Sequence, residues 1–374
     1  MKNSLFLILI LLASCVKTTG TVAPPTPSVK TDAVRGVWLT NVASNAFYTK
    51  DNLKQVVQFC AERGINHIFV VMWNKGWTQY PSDIMEKTFG RAIEERLDGR
   101  DPMRELLDEA KKYDIKVYAW FEYGFAAENS ALGAHILTKY PSWAALGADG
   151  KVVVKNGFKW MNALDKNVQD FMLSLLKECV QKYPDLTGIQ GDDRLPALPS
   201  ECGYNQNVVD LYKSENSGAV PPTDSKNVAW VEWRSKKLND FMKRLYTDLK
   251  QLRPTLKIAM APSIFPFAKT EYLQDWPTWV ENGWVDVLSP QMYRYDIAAY
   301  RNEFDKIIND QISLQKRNVL APGVLLKVGS YTPTQVFLQQ MIDENRKRGI
   351  KGEVFFFYEG LKDQPDFFGK YKDS

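Results

Sequence analysis

The residues best equipped for chemistry lie in one stretch, Thr187-Gly188-Ile189-Gln190-Gly191-Asp192-Asp193-Arg194, where an apolar segment runs into two adjacent carboxylates and a guanidinium. If the segment is a strand, alternate side chains share a face, so Gln190 and Asp192 point one way and Ile189 the other. With Ile189 packed under helices, Asp192 enters a cleft and Asp193 lies one step over, aimed at the following loop. Arg194 can keep one carboxylate ionised while its neighbour is pushed towards the protonated form. One acid to protonate a leaving oxygen and one carboxylate to serve as nucleophile or base is what cleavage of a glycosidic bond requires. The bland alternative is a solvated Asp-Asp pair that holds a turn.

Further candidates end other apolar segments. Glu122 follows Trp120-Phe121 and is a possible acid/base partner of Asp192 or an acceptor for a sugar hydroxyl; Glu359, in Phe357-Tyr358-Glu359-Gly360, is a third carboxylate. Ser289, Gln291 and Tyr293 share parity, so Gln291 and Tyr293 are expected to line the pocket as hydrogen-bond partners. Trp38 and Asn41 close one segment, Trp73 and Asn74 another, and aromatic planes beside amides suit a sugar. The expected binding set is therefore Trp38, Asn41, Trp73, Asn74, Gln190, Arg194, Gln291, Tyr293 and Glu359, around catalytic Asp192, Asp193 and Glu122. The chain has two histidines, His67 and His135, and His67 begins a strand, so a histidine-based metal site is not expected. No cofactor is expected, and no Gly-x-Ser-x-Gly elbow is present. Lys327 could in principle form a Schiff base.

These candidates need elements that gather strand ends at one place. Short apolar runs alternate with amphipathic helical patterns eight times. The predicted strands are 35–40, 67–73, 116–123, 186–192, 257–263, 285–293, 318–326 and 353–359, rich in Val, Ile, Phe, Tyr and Trp as strands buried on both faces should be. Helical spacing predicts helices over 51–63, 101–113, 165–182, 227–252, 271–281, 300–315 and 334–348. Asp-Pro opens the second and Thr-Pro-Thr the last. Eight βα units without a Rossmann fingerprint predict an α/β fold, a closed (β/α)8 TIM barrel. The loops after strands two, three and four, 74–100, 124–164 and 194–226, are long and fall on the C-terminal face. They carry Trp77, Tyr80, Trp143, Trp160 and Tyr204, and at least one ring of Trp77, Trp143 and Trp160 is expected to be exposed there. Residues 148–154 read as a small hairpin inserted in the third loop.

Composition bounds the class. Of 374 residues, 45% are hydrophobic and 25% charged, enough for a large core without disulfides. A net charge of +4 with no basic run gives no reason to expect nucleic acid. The surplus is aromatic, 13% with eleven tryptophans. Lys2, the apolar run 5–12 and Leu12-Ala13-Ser14-Cys15 read as an export signal ending in a lipobox, with Cys15 diacylated. Three parts are expected: a signal at 1–15, a Thr/Pro/Val tether at 16–32 and a single barrel at 33–374. Of the other cysteines, Cys60 and Cys179 sit in apolar helical patterns as small hydrophobes, and Cys202 lies in a loop.

Arg35-Gly36-Val37-Trp38-Leu39-Thr40, Ala119-Trp120-Phe121-Glu122, Gly188-Ile189-Gln190-Gly191-Asp192-Asp193 and Leu288-Ser289-Pro290-Gln291-Met292-Tyr293 together resemble the glycosyl-hydrolase-like 10 family of bacterial envelope barrels, often lipoproteins. The resemblance runs from about Val34 to Tyr358. Strand four of that family usually reads Asp-Gly-Ile-His-x-Asp-Asp followed by an aromatic residue; here Thr187, Gln190 and Arg194 stand at the first Asp, the His and the aromatic position. The resemblance implies hydrolysis of a polysaccharide, cell-wall glycan among the options. Val16 after the lipobox cysteine, where an Asp would suggest inner-membrane retention, leads to the expectation of the outer membrane, and a monomer is expected. The second reading is a lipid-anchored barrel that binds carbohydrate without cleaving it, and a remote third is a Schiff-base lyase through Lys327. The lipobox is directly testable: Cys15→Ser should release the protein in soluble form or leave its signal uncleaved. Unchanged fractionation with membranes would remove the lipobox reading.

Overall fold

The computed structural model describes residues 33–130 and 132–371, so Cys15 and the tether fall outside the described residues. Eight of the apolar runs become parallel strands: β1 (Arg35–Leu39), β2 (His67–Val71), β3 (Lys116–Phe121), β4 (Gly188–Asp192), β5 (Lys257–Ala261), β6 (Val287–Leu288), β7 (Gly323–Leu325) and β8 (Glu353–Phe356). They pair in the order β6-β5-β4-β3-β2-β1-β8-β7. The remaining seam is closed by parallel bridges from Leu288 to Leu320 and from Gln291 to Gly323. The fold is an α/β TIM barrel.

The principal helices are α1 (Lys50–Glu62), α2 (Pro102–Ala110), α3 (Lys166–Lys182), α4 (Val228–Leu252), α5 (Trp276–Glu281), α6 (Ile297–Lys306), α7 (Gln335–Lys347) and α8 (Pro365–Tyr371). Thr49, Asp101, Asp165, Asn227, Asp296 and Thr334 cap their first turns, each side chain accepting a backbone N–H that the helix itself cannot satisfy. Among the described residues no helix is long and apolar enough to cross a membrane.

Strand alternation divides the core in two. Trp38, Phe69, Val71, Tyr118, Trp120, Ala259, Ala261, Val287, Ala321 and Val354 form one buried cluster inside the barrel. A larger cluster, including Ile68, Val70, Ala119 and Ile189, fills the layer between strands and helices. Inside, large rings face small residues: a Cβ on Gly36 would sit 2.8 Å from the Phe69 ring, and one on Gly188 would sit 2.6 Å from Tyr118. The glycines leave the room those rings fill.

Several boundaries differ from the sequence reading. β6 covers two residues and β7 three, because Pro290 and Pro322 have no N–H for a ladder and residues 314–319 coil into a tight helical turn. The helix expected at 271–281 is split into Phe267–Tyr272 and α5 by Leu273 in the left-handed conformation, φ 59°. α6 ends at Lys306, and residues 307–311 form a wider π turn. β8 stops at Phe356, and a helix starts at Tyr358, so Glu359 is helical. In the third loop, Leu146 bridges Val152 across the expected hairpin. A second ribbon pairs Val154–Lys155 with Phe158–Trp160 around Asn156-Gly157, a turn signal that the sequence reading passed over.

Gly188→Ala tests the barrel interior. Its Cβ would meet the Lys257 carbonyl oxygen at 2.3 Å as well as Tyr118, and neither can withdraw without moving a strand. A loss of roughly 1–3 kcal/mol is expected from the denaturant midpoint. An unchanged midpoint would mean that the interior has slack these distances deny.

Candidate active site

The C-terminal ends of β1, β3, β4, β5, β6 and β8 converge on a cavity of about 80 Å³. Glu122, Asp192, Asp193 and Arg194 supply its charges, and Trp38, Trp120, Ala261, Gln291, Tyr293 and Phe356 complete its lining. Asp192 is the last residue of β4, and its side chain is 3% exposed. Its Oδ2 accepts a hydrogen bond from Trp120 Nε1 at 3.1 Å and its Oδ1 one from the Arg194 backbone N–H at 2.9 Å. Its backbone carbonyl accepts from Gln274 Nε2 at 2.7 Å, which fixes the strand end.

Arg194 ties the cluster together. Its Nη1 lies 3.5 Å from Asp192 Oδ2 and 3.3 Å from Asp193 Oδ1, and it donates to the Glu122 carbonyl at 3.2 Å. The guanidinium also lies over the Tyr123 and Phe158 rings, 5.7 and 5.4 Å from their centroids. Asn74 Nδ2 donates to Glu122 Oε2. Below, Trp38 Nε1 donates to Gln190 Oε1 at 2.7 Å.

The carboxyls differ in their proton affinity. Burial, and then the adjacent Asp193, push Asp192 well above the usual carboxylate range, against the pull of Arg194. Burial also raises Glu122, opposed by Arg194 and the Asn74 hydrogen bond. Burial raises the Tyr293 hydroxyl, and Asp193 and Asp192 add to it, so Tyr293 faces the cavity as a hydrogen-bond donor. Asp193 is more open, with 24% of its side chain exposed. Two carboxyls that burial pushes up thus lie with a more open third around one guanidinium, an arrangement suited to acid/base chemistry.

Of the residues expected from sequence, Trp38, Glu122, Asp192, Asp193, Arg194, Gln291 and Tyr293 come together here. Gln190 lies beneath the cavity, fully buried, with its Nε2 unpartnered. Asn74 is buried and reaches the site only through Glu122. Three expectations are corrected. Trp73 shares the parity of Val71 but lies beyond β2 in a separate ribbon, and it faces the outer layer, packed edge-on against Phe171 with its Nε1 donating to the Gly124 carbonyl at 3.0 Å. Asn41 and Glu359 line a neighbouring cavity instead; Glu359 turns away on its helix and binds Lys362 and Ser44. No exposed ring comes from Trp77, Trp143 or Trp160: Trp160 is buried, and the others are half-buried, stacked on His135 and Tyr140. Lys327 pairs with Asp363 away from the cavity. Cys202, like Cys60 and Cys179, is a buried free thiol. Trp120 and Phe356 were missed, although parity with Glu122 and Val354 would have found them.

A family model described as glycosyl hydrolase-like 10 matches residues 33–329, spanning β1 to β7 and every charged residue of this cavity. The chain belongs to that family. Among curated relatives of this glycosyl hydrolase-like 10 chain, glycosyl hydrolase DigH of Escherichia coli strain K12 is 23% identical over 354 residues, covering 78% of this chain and 76% of DigH. Glycosyl hydrolase YngK of Bacillus subtilis is 20% identical, covering 71% of this chain and 56% of YngK. Among solved structures, the glycoside hydrolase domain of PgaB (BpsB) from Bordetella bronchiseptica superposes with a TM-score of 0.66 at 12% identity, covering 91% of this chain and 98% of that one.

The raised Asp192 has a measurable consequence. Between its ordinary and its raised pKa the folded state holds a proton that the unfolded state releases, so rising pH removes stability from the wild type. Asp192→Asn has no such loss. Its stability relative to wild type should therefore increase from about pH 4 upwards. Thermal unfolding of both proteins across pH 4–8 checks this, and a constant difference would place the Asp192 pKa at its ordinary value.

Proposed function

We propose that this protein is a glycoside hydrolase acting on a polysaccharide, cell-wall glycan being the substrate that best suits an envelope protein anchored through Cys15 at the outer membrane. The observation that carries the reading is the buried Asp192 at the end of β4, coupled to Asp193 and Arg194 under an aromatic-lined opening. Asp192 protonates the leaving oxygen, because burial raises its proton affinity and Trp120 fixes its orientation. Asp193 provides the negative charge, as nucleophile or as base to a water, facing an oxocarbenium-like transition state. Glu122, held by Asn74, and Tyr293 position the sugar hydroxyls. Membership of a glycosyl hydrolase-like family and a barrel shared with a glycoside hydrolase domain support the reading.

The carbohydrate-binding alternative is separated by measuring turnover and binding side by side on peptidoglycan and a polysaccharide panel. Asp192→Asn should fold and bind glycan yet cleave it at least about a hundredfold more slowly, as loss of a general acid typically costs 10²–10⁴ in rate. A dinitrophenyl glycoside, whose leaving group needs no proton, should recover most of that loss. Equal loss on both substrates would transfer the acid role from Asp192 to Glu122. Near-normal turnover of the polysaccharide by Asp192→Asn would falsify the assignment altogether.

A further inference from the structure

The two ends of the barrel carry opposite charge. The turns that lead from the principal helices into β2 to β8, each taken to the first strand residue, are 63–67, 111–116, 183–188, 253–257, 282–287, 307–323 and 348–353. Together they hold ten lysines and arginines against five acidic residues, and one of the five, Glu353, is fully buried. At the catalytic end, the loops from the last strand residue to the residue before the next principal helix are 39–49, 71–101, 121–165, 192–227, 261–275, 288–296, 325–334 and 356–364. They hold sixteen cations and twenty-one acids. An extended anionic partner is therefore drawn to the N-terminal end of the barrel and repelled by its mouth.

Part of this excess is not spent inside the protein. Lys116 pairs with Asp114 at 2.8 Å, and Lys250 and Lys257 share Asp286 at 2.8 and 4.0 Å. Lys111, Lys316 and Lys351 have no ion-pair or hydrogen-bond partner for their ammonium groups among the described residues. Lys111 and Lys351 are exposed and Lys316 is half-buried. Lys111 precedes β3, Lys316 precedes β7 and Lys351 precedes β8, and in the strand order β3 and β7 lie on opposite sides of the ring. A small anion cannot meet charges set across a barrel from one another, whereas a flat anionic surface meets them together. Apolar side chains accompany the cations: Leu252 beside Arg253 is 38% exposed, and Leu314, just before Lys316-Arg317, is 69% exposed. Cations with apolar neighbours are what the headgroup boundary of a bilayer accepts.

The chain enters the barrel at this same end. β1 begins at Arg35, and the Ala33 carbonyl accepts a hydrogen bond at 3.0 Å from Asn66 Nδ2, in the turn before β2. Residues 16–32 lead back to Cys15, a stretch whose greatest possible span is roughly 60 Å. A lipid on Cys15 would keep the barrel beside a bilayer, but a span of that length leaves undecided which face meets it. We infer that the N-terminal face of the barrel docks on a phospholipid surface bearing anionic headgroups, an inference that rests on the anchor read at Cys15. Each lysine or arginine near such a surface adds to the attraction, and salt screens the sum. The lipid confines the protein and the charge orients it, so that the catalytic mouth points away from the membrane that carries it.

The test is sedimentation of the full chain carrying Cys15→Ser, which bears no lipid, with vesicles of phosphatidylcholine alone or of phosphatidylcholine and phosphatidylglycerol in equal parts. At low salt the chain should bind the anionic vesicles at least about tenfold more tightly, and high salt should remove the preference. Lys111→Gln, Lys316→Gln and Lys351→Gln combined should weaken binding to the anionic vesicles roughly a hundredfold, about fivefold for each charge removed. Lys87→Gln, Lys139→Gln and Lys151→Gln combined remove the same net charge from exposed positions at the catalytic end and should change it by less than about threefold. Thermal unfolding of both triple variants establishes that each is folded. Equal binding of the two kinds of vesicle, or equal losses in the two triple variants, would overturn the docking face. Neither acylation nor glycan turnover enters these measurements. Lysine-dependent vesicle binding by a chain that cleaves no glycan keeps the docking face and removes the hydrolase reading, and cleavage by a chain without that binding does the opposite.

Discussion

The mouth of this barrel depends on one guanidinium. Arg194 contacts both aspartates of β4 and the carbonyl of Glu122 at the end of β3, so it ties two neighbouring strand ends to one charge. Burial alone would lower its proton affinity, but Asp193 and Asp192 more than offset that and hold it firmly cationic. Three carboxyls around one cation cannot all be ionised cheaply in a poorly solvated site, and at least one retains a proton. The acid/base asymmetry is thus a consequence of unequal charge numbers in a buried space, not of any one residue.

The position of Arg194 in turn depends on backbone that side chains would obstruct. A Cβ on Gly191 would lie 2.3 Å from the Leu195 carbonyl oxygen, and one on Gly124 would lie 2.2 Å from that of Arg194. The loops after β3 and β4 therefore touch directly, with the Phe125 N–H donating to the Arg194 carbonyl at 3.0 Å. That contact brings the guanidinium back under the strand ends. The same loops account for much of the aromatic surplus. Trp160 is buried in the third loop, and Trp230, Trp276 and Trp279 pack among the helices, so tryptophan here is chiefly filler. Trp38 and Trp120 are exceptions: inside the barrel at its mouth, each spends its indole N–H on a polar residue of β4.

Strand alternation and the count of βα units were legible in the sequence, because both are local properties. Period-two parity placed Gln190 and Asp192 inside and Ile189 outside, and the same rule applied to Gln291 and Tyr293 held. Helix starts were readable at Asp101, Asp165, Asn227 and Thr334, since a cap acts within three residues of itself. What failed was the extrapolation of parity past a strand's end. Trp73 lies beyond β2 in a ribbon of its own, and Glu359 lies beyond β8 on a helix, so neither obeys the strand's alternation.

Tertiary structure alone decided which charges meet. The sequence separates Glu122 from Arg194 and Lys75 from Glu359 by long stretches, and no periodicity links them. The barrel joins them because closing eight strands into a ring brings all eight C-terminal ends to one side. It also decided that the charges divide into two cavities of opposite sign, with Lys75 lining the second while its charge still acts on the Glu122 that its neighbour Asn74 holds in the first. The residue types were fixed by the chain, but their electrostatic roles depend on burial and distance, which exist only once the barrel has closed.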